Sequence, residues 1–328
     1  MAEVGCAGIL VADTFCGPMR ALPGEGQLVA TGPFRRCVGG CAANVAIGLA
    51  KQGVGVEVIG CIGRDPAAKT VVAGLTEQGV GCDRIVQVGD QSTSETVILI
   101  VEGEDRRYVH VFGANAAFTA AHVEPDWAAA LKVFYLGGLF AMSGIDPEAL
   151  AGLLEHCRRH GVMTVVDVVL PSEFCDRDAL RRVLRHVDYF LPNDDEARVI
   201  TGEEDILEQV RGLQAFGAQA VIITRGPAGL LAARGDDVWH APAYGVQALD
   251  PSGSGDAFSS GVVTGLVHGW DMARTLSYAS ALGASVTQAI GATQGVFESD
   301  AACRFIQSNP LPVTLRHMDD LRGSKGCL

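Results

Sequence analysis

The chain has 328 residues, 48% of them hydrophobic and 19% charged, enough to bury a full core and far from the low-hydrophobicity, high-charge composition of disorder. Its 25 Lys and Arg against 38 Asp and Glu give a formal charge of −13, which argues against nucleic acid or an anionic membrane as partner and in favour of a small molecule. An acidic chain that handles phosphates must use local devices, backbone N–H groups and a bound cation, against a repelling overall field.

Residues Met1 to Thr14 show neither the basic nor the apolar part of a signal peptide, so the ten cysteines read as reduced thiols of a cytoplasmic protein. Cys37-Val38-Gly39-Gly40-Cys41 lacks the two-residue spacing of a zinc or redox pair. Gly39-Gly40-Cys41-Ala42-Ala43-Asn44 is a Gly-rich entry to an apolar-periodic helix running from Asn44 to Gln52, which Gly53 can end in a left-handed turn. The Asn44 amide can serve a substrate hydroxyl as both donor and acceptor. Asp65-Pro66 predicts a capped helix that Gly79 closes.

Two early segments depart from this pattern. Met19 to Cys37 is rich in Gly and Pro, and Thr93 to Phe112 alternates as strands, Thr96 to Val101 and Tyr108 to Phe112, with no helix between. They are expected to pair as a small sheet, a lid over the carboxyl edge of the main sheet. Arg106-Arg107 in this lid reads either as a solvated charge pair or as a contact for a substrate anion.

Further along, Val162 to Asp167, Tyr189 to Leu191 and Ala220 to Thr224 are short apolar runs of the kind found in a parallel sheet covered on both faces, alternating with helical stretches, hence α/β. Asn193-Asp194-Asp195-Glu196 follows one such strand and has two readings: oxygen ligands for Mg²⁺ through water, or a capping box with Asn193 at the N-cap and Glu196 at N3. Thr224-Arg225-Gly226-Pro227-Ala228-Gly229 is either a contact for a nucleotide phosphate or a plain hairpin turn.

Asp250-Pro251-Ser252-Gly253-Ser254-Gly255-Asp256 then joins an apolar segment ending at Leu249 to a helix running to about Gly269. Gly253 and Gly255 allow close backbone approach to an anion, and Asp256 beside such a hole would accept a proton from an attacking hydroxyl. The alternative is an ordinary strand-to-helix turn with an N-terminal Asp. Ser308 to Leu328, with Pro310, Pro312 and Gly323, is expected to be peripheral, and no apolar run is long enough to span a bilayer. GxxxxGK[ST], GxGxxG, GxSxG and HExxH are all absent, which excludes a Walker-type NTPase and weakens dinucleotide-binding, serine hydrolase and zincin readings.

In this order the elements resemble the ribokinase-like carbohydrate kinases, also called the phosphofructokinase B family, over nearly the whole chain. Gly39 to Gly53 with Gly60 to Asp65 is similar to the first family signature and Asp250 to Phe258 to the second; Gly113-Ala114-Asn115, Asn193 with Glu196, and Thr224 with Gly226 and Gly229 fall at the lid-return, magnesium-phosphate and nucleotide segments. The resemblance implies a single kinase domain over residues 1–328 with a three-layer α/β fold, a mainly parallel sheet between helices, and a small β lid formed by residues about 14–38 and 92–114.

It also implies residue roles. Asp13, Gly39, Gly40 and Asn44 would hold substrate hydroxyls, and Asp256 would deprotonate the acceptor. Gly253, Ser254, Gly255 and Asp256 would form the anion hole. Asn193 and Glu196 would organise Mg²⁺ and phosphate, Thr224, Gly226 and Gly229 would contact ATP, and Asp250 would help to hold a monovalent cation such as K⁺. Ser254 replaces the Ala usual between the two glycines, Cys41 stands where ribokinases have Lys, and Val11 replaces a polar residue two before Asp13. The acceptor therefore stays open among fructose-like sugars, keto-deoxy sugar acids, phosphorylated sugars and nucleosides. A nucleoside kinase would need an aromatic platform, for which Phe15 and Phe34 are candidates. A catalytically silent nucleotide-binding regulator is the alternative from another class, and pairing of lid edges would give a homodimer.

Overall fold

A computed structural model describes residues 2–104, 106–170 and 176–321. Its largest sheet has nine strands in the order Thr314–His317, Asp237–Ala241, Leu230–Arg234, Ala220–Thr224, Tyr189–Phe190, Met163–Val168, Val133–Leu139, Val4–Gly8 and Val56–Ile59. From Ala220–Thr224 to Val56–Ile59 all neighbours run parallel, and the three strands at the other edge are antiparallel.

Side-chain alternation along the central strands separates two cores. Phe134, Leu136, Val166 and Phe190 face one way, against the helices Pro147–Arg159, Arg177–Leu184, Asp194–Thr201 and Ile206–Ala215. Val133, Tyr135, Val165 and Tyr189 face the other, against Cys41–Lys51, Ser254–Val267 and Met272–Val286. Strands buried on both faces read as continuous apolar runs, which is why they are legible as a parallel sheet. The result is a three-layer α/β arrangement, as the resemblance implies.

The second sheet has four strands, ordered Arg35–Gly39, Val11–Met19, Ser94–Val101 and Arg107–Val111. Its strands come from the two segments expected to form a lid, although it begins at Val11 and reaches Gly39. Two anchors fix where its strands leave the main body. The Asn115 amide donates to Leu10 O and accepts from Leu10 N, both at 3.0 Å. Asp65 caps the helix Pro66–Glu77 by accepting from Ala68 N at 2.9 Å and also accepts from Thr93 N at 2.7 Å.

Helix packing brings the distant Gly-rich segments together. A Cβ at Gly48 would press on Ser260, and one at Gly261 would collide with the backbone of Ala279, so the helix Ser254–Val267 lies unusually close to both neighbours. Asn44, one turn before Gly48, is thereby set beside the first turn of that helix.

Two expectations are corrected. Residues 242–249 form no strand and Leu249 is exposed, so the Asp250–Asp256 turn is entered from an irregular segment and is not the strand-to-helix turn of the alternative reading. The tail is not merely peripheral: Thr314–His317 pairs with Asp237–Ala241 as an edge strand, and Met318 and Leu321 are buried behind it. All four residues of that strand are exposed, so no apolar alternation marks it in the sequence. Residues 322–328, including Gly323, lie outside the described residues. Among the described residues no helix is long and apolar enough to cross a membrane.

Candidate active site

The Asp250–Asp256 turn is shaped from within. The Asp250 carboxylate accepts from Ser252 N and Gly291 N, both at 2.9 Å, and from Arg106 Nη1 at 3.1 Å. Gly253 has φ of 73° and a Cβ there would strike the Ala292 carbonyl, so only glycine fits this N-cap. No side chain caps the helix Ser254–Val267, and the Gly255 and Asp256 amides, in its first turn, have no intrahelical acceptor. Open space lies over the Cβ position of Gly255. The turn therefore offers N–H donors and the positive end of a helix to a ligand.

Asp256 stands at the end of this turn. Its Oδ2 accepts from Asn44 Nδ2 at 2.8 Å, while Asn44 Oδ1 is buried and has no partner. An orphaned buried acceptor marks a position where a donor belongs, such as a hydroxyl of a bound molecule. The Asp256 carboxyl, the Asp167 carboxyl and the Cys41 thiol lie within 4.8 Å of one another. Asp167 accepts from Tyr135 Oη at 2.6 Å and Gly138 N at 2.9 Å. Burial raises both the Asp256 and Asp167 carboxyls above the usual carboxylate range, and the charge of Asp256 pushes Asp167 further up. Burial also drives the Cys41 thiol far up, so it stays protonated.

Asp13 lies on the strand Val11–Met19 and is buried. Any Cβ at Gly39, on the paired strand, would collide with its carboxylate, and a Cβ at Gly40, with φ of 92°, would strike the Ile9 carbonyl. Burial pushes Asp13 up to about 6, against a hydrogen bond from Thr96 and with help from the charge of Asp256. Gly39 thus packs on Asp13, Gly40 begins the helix that carries Asn44, and of these four Asn44 is the one bonded to Asp256.

Of the two readings of Asn193 and Glu196, the capping box is realised, with Asn193 Oδ1 accepting from Glu196 N at 2.8 Å and Glu196 Oε2 accepting from Asn193 N at 2.9 Å. Yet Asn193 and Glu196 also line the same cleft as Asp167, Gly253, Gly255 and Asp256. Burial, with Asp256 nearby, pushes the Glu196 carboxyl up to about 7, although its bond to the Asn193 amide pulls the other way. Thr224 ends its strand at this cleft, and the hairpin reading of 224–229 is realised too, with Arg225 N donating to Gly229 O at 2.8 Å. Gly226, Gly229, Tyr244 and Phe258 line a more apolar cleft that shares Thr224, Ser254 and Gly255 with the first.

Asp167 and Tyr135 carry no expectation from the sequence, whereas Arg106 reads there as either a solvated charge or an anion contact. For Asp167 a signal existed: it lies near the carboxyl end of a buried parallel strand, where ligands of open α/β sheets bind. Of the aromatic candidates, Phe15 is buried and Phe34 exposed, and neither lines these clefts.

Residues 1–298 match the family described as pfkB family carbohydrate kinase. The chain belongs to that family. It is 29% identical over 282 residues to a fructokinase of Klebsiella pneumoniae, covering 82% of this chain and 90% of that one. It is 28% identical over 209 residues to an adenosine kinase of Saccharomyces cerevisiae, covering 58% and 60% of the two chains. The structure of an Arabidopsis thaliana ribokinase complexed with ribose and ATP superposes with a TM-score of 0.80 at 20% identity, over 94% of this chain and 99% of that one. This pfkB chain is accordingly a sugar or nucleoside kinase with the ribokinase-like fold.

Proposed function

We propose that the chain transfers the γ-phosphate of ATP to a hydroxyl of a sugar or sugar-like acceptor, with Asp256 as general base. The observation that carries this reading is the placement of the Asp256 carboxylate, held by Asn44 at 2.8 Å, beside the uncapped first turn of the helix Ser254–Val267. A carboxylate next to an anion-binding turn is unfavourable for binding phosphate alone, and useful when it removes a proton from the attacking oxygen.

The residues divide the work. Asp13 and Asn44, the latter through its unpartnered Oδ1, orient acceptor hydroxyls. Asp256 takes the proton of the reacting hydroxyl as the new phosphorus–oxygen bond forms and the bond to the leaving ADP oxygen breaks. The N–H groups of Gly255 and Asp256 stabilise charge on the transferred group, the role of an oxyanion-type hole, while the Ser254 N–H is spent on Pro251 O at 3.2 Å. Thr224, Gly226 and Gly229 hold the nucleotide, with Tyr244 and Phe258 as apolar walls. Glu196 with Asn193 fits a Mg²⁺ held through water, since a half-buried carboxyl beside Asp256 is relieved by a cation. Bound Mg²⁺ supplies charge neutralisation at the phosphates. The four-stranded sheet acts as the lid. Its outer strand Arg107–Val111 exposes Val109 and Val111, which supports pairing of two lids in a homodimer.

A panel of neutral sugars, sugar acids, phosphorylated sugars and nucleosides, assayed by coupling ADP formation to a chromogenic readout, tests the reading. Turnover is expected with at least one sugar. Turnover with nucleosides alone would give the acceptor role to the nucleoside alternative, for which Tyr108 and Phe258 are aromatic rings lining the cleft. No turnover with any acceptor would favour a silent nucleotide-binding regulator.

A further inference from the structure

The resemblance to ribokinases implies a monovalent cation at Asp250, and the residues around Asp250 do not fit one. Its Oδ1 accepts from Ser252 N at 2.9 Å and from Arg106 Nη1 at 3.1 Å, and its Oδ2 accepts from Gly291 N at 2.9 Å. The same Arg106 nitrogen donates to Ser252 Oγ at 2.5 Å. The ion pair is well sheltered, with the two side chains 16% and 4% exposed, so its attraction is weakly screened. A second cation on this carboxylate would sit next to a guanidinium in a low-dielectric site, and like-charge repulsion would oppose it. Arg106 reaches the turn from 144 residues away in sequence, at the start of the outer lid strand Arg107–Val111.

We propose that Arg106 is the built-in cation of the phosphate turn, so that turnover does not require K⁺. The guanidinium neutralises Asp250, which holds Ser252 N and Gly291 N and so keeps the turn in shape. With Asp250 neutralised, the turn presents its N–H groups to an anion without an unpaired negative charge behind them. Arg106 acts through Asp250 and is a positioning residue. Because it also lines the cleft with Tyr108, lid placement and turn geometry become one event. The guanidinium is held by Asp250 and Ser252, which makes it a poor choice for recognising an acidic or phosphorylated acceptor.

The inference rests on the kinase reading above, and the test separates the two. The full chain is assayed with ATP, Mg²⁺ and its best acceptor at constant ionic strength in KCl, NaCl or tetramethylammonium chloride. Wild-type kcat is expected to vary by less than about twofold among the three salts, the residue of nonspecific screening. Arg106→Ala should lose about tenfold or more, the scale of one charge-assisted hydrogen-bond pair, and regain activity with added guanidinium or K⁺, while Arg106→Lys retains most of it. Thermal unfolding of both variants checks that they are folded. A wild-type requirement for K⁺ of about tenfold or more would overturn the proposal. So would a folded Arg106→Ala that is fully active in every salt, or one that is impaired and unresponsive to either cation. Absence of wild-type turnover in all three salts would instead overturn the kinase reading, and the proposal with it.

Discussion

The helix wall of the cleft and its strand wall face the same space with different equipment. On the helix wall, Gly253 to Asp256 present backbone N–H groups and one carboxylate. On the strand wall, Asp167 and Glu196 line the cleft, and Asp13, buried on the four-stranded sheet behind that lining, feels the charge of Asp256. The first wall offers amides to an anion, with Arg106 tied to Asp250 behind them, while the second collects carboxyls whose hold on the proton burial strengthens. On the proposed reading they would let a chain of net charge −13 handle a polyphosphate, the amides taking the phosphate and the acidic wall a divalent cation. The strand wall should therefore be sensitive to pH and metal, and the helix wall to the identity of single residues.

The largest effect is expected on the helix wall. Asp256→Asn should lower kcat by roughly 10²-fold or more with ATP affinity nearly unchanged, read by steady-state kinetics and calorimetric ATP titration. A variant with near-normal turnover would sink the assignment of Asp256 as base. Asn44→Ala removes the donor to Asp256 Oδ2 and one hydroxyl partner, and should cost about tenfold in kcat and raise the acceptor KM. An Asn44→Ala enzyme with both constants unchanged would remove the acceptor subsite from this wall.

On the strand wall, Glu196→Gln should raise the Mg²⁺ concentration needed for half-maximal activity by several-fold, about the weight of one hydrogen-bonded oxygen ligand. Since Glu196 is pushed up to about 7, the wild-type Mg²⁺ requirement should rise as pH falls through that value, and the Gln variant should lose this dependence. A wild-type Mg²⁺ requirement independent of pH across neutrality would contradict the role. The smallest effect concerns stability without ligands. Folded Asp13, at about 6, and Glu196, at about 7, keep protons that the unfolded chain releases near its ordinary carboxylate values of 3.8 and 4.5. Their contribution is present at acid pH and lost as pH rises through the folded values. The apo melting temperature should therefore fall by a few degrees from about pH 5 to about pH 8, and Asp13→Asn with Glu196→Gln should flatten that slope. An unchanged slope would mean that neither carboxyl is protonated in the folded chain.

The legibility of the two walls differed for a physical reason. The helix wall is contiguous in sequence, so Gly253, Gly255 and Asp256 announce themselves by turn chemistry and helix entry. The strand wall is assembled by topology, and Asp167, Tyr135 and Glu196 meet only because parallel strands end at one edge. Strand alternation exposed the lid strands Ser94–Val101 and Arg107–Val111, whereas the edge strand Thr314–His317 carries no periodic signal. Arg106 has no unique assignment from sequence, because its partner Asp250 lies 144 residues away. At Asn193 with Glu196 and at Thr224 to Gly229 a cap and a hairpin also line the clefts, so a local structural role leaves these residues available to a ligand.

Phosphoryl transfer itself is tested most directly on the acceptor. The chain is incubated with ATP, Mg²⁺ and the acceptor giving the fastest ADP release, and the acceptor is then examined by mass spectrometry. The expected result is a gain of one phosphoryl group on the acceptor in step with ADP formed. ADP release with the acceptor left unmodified would contradict it.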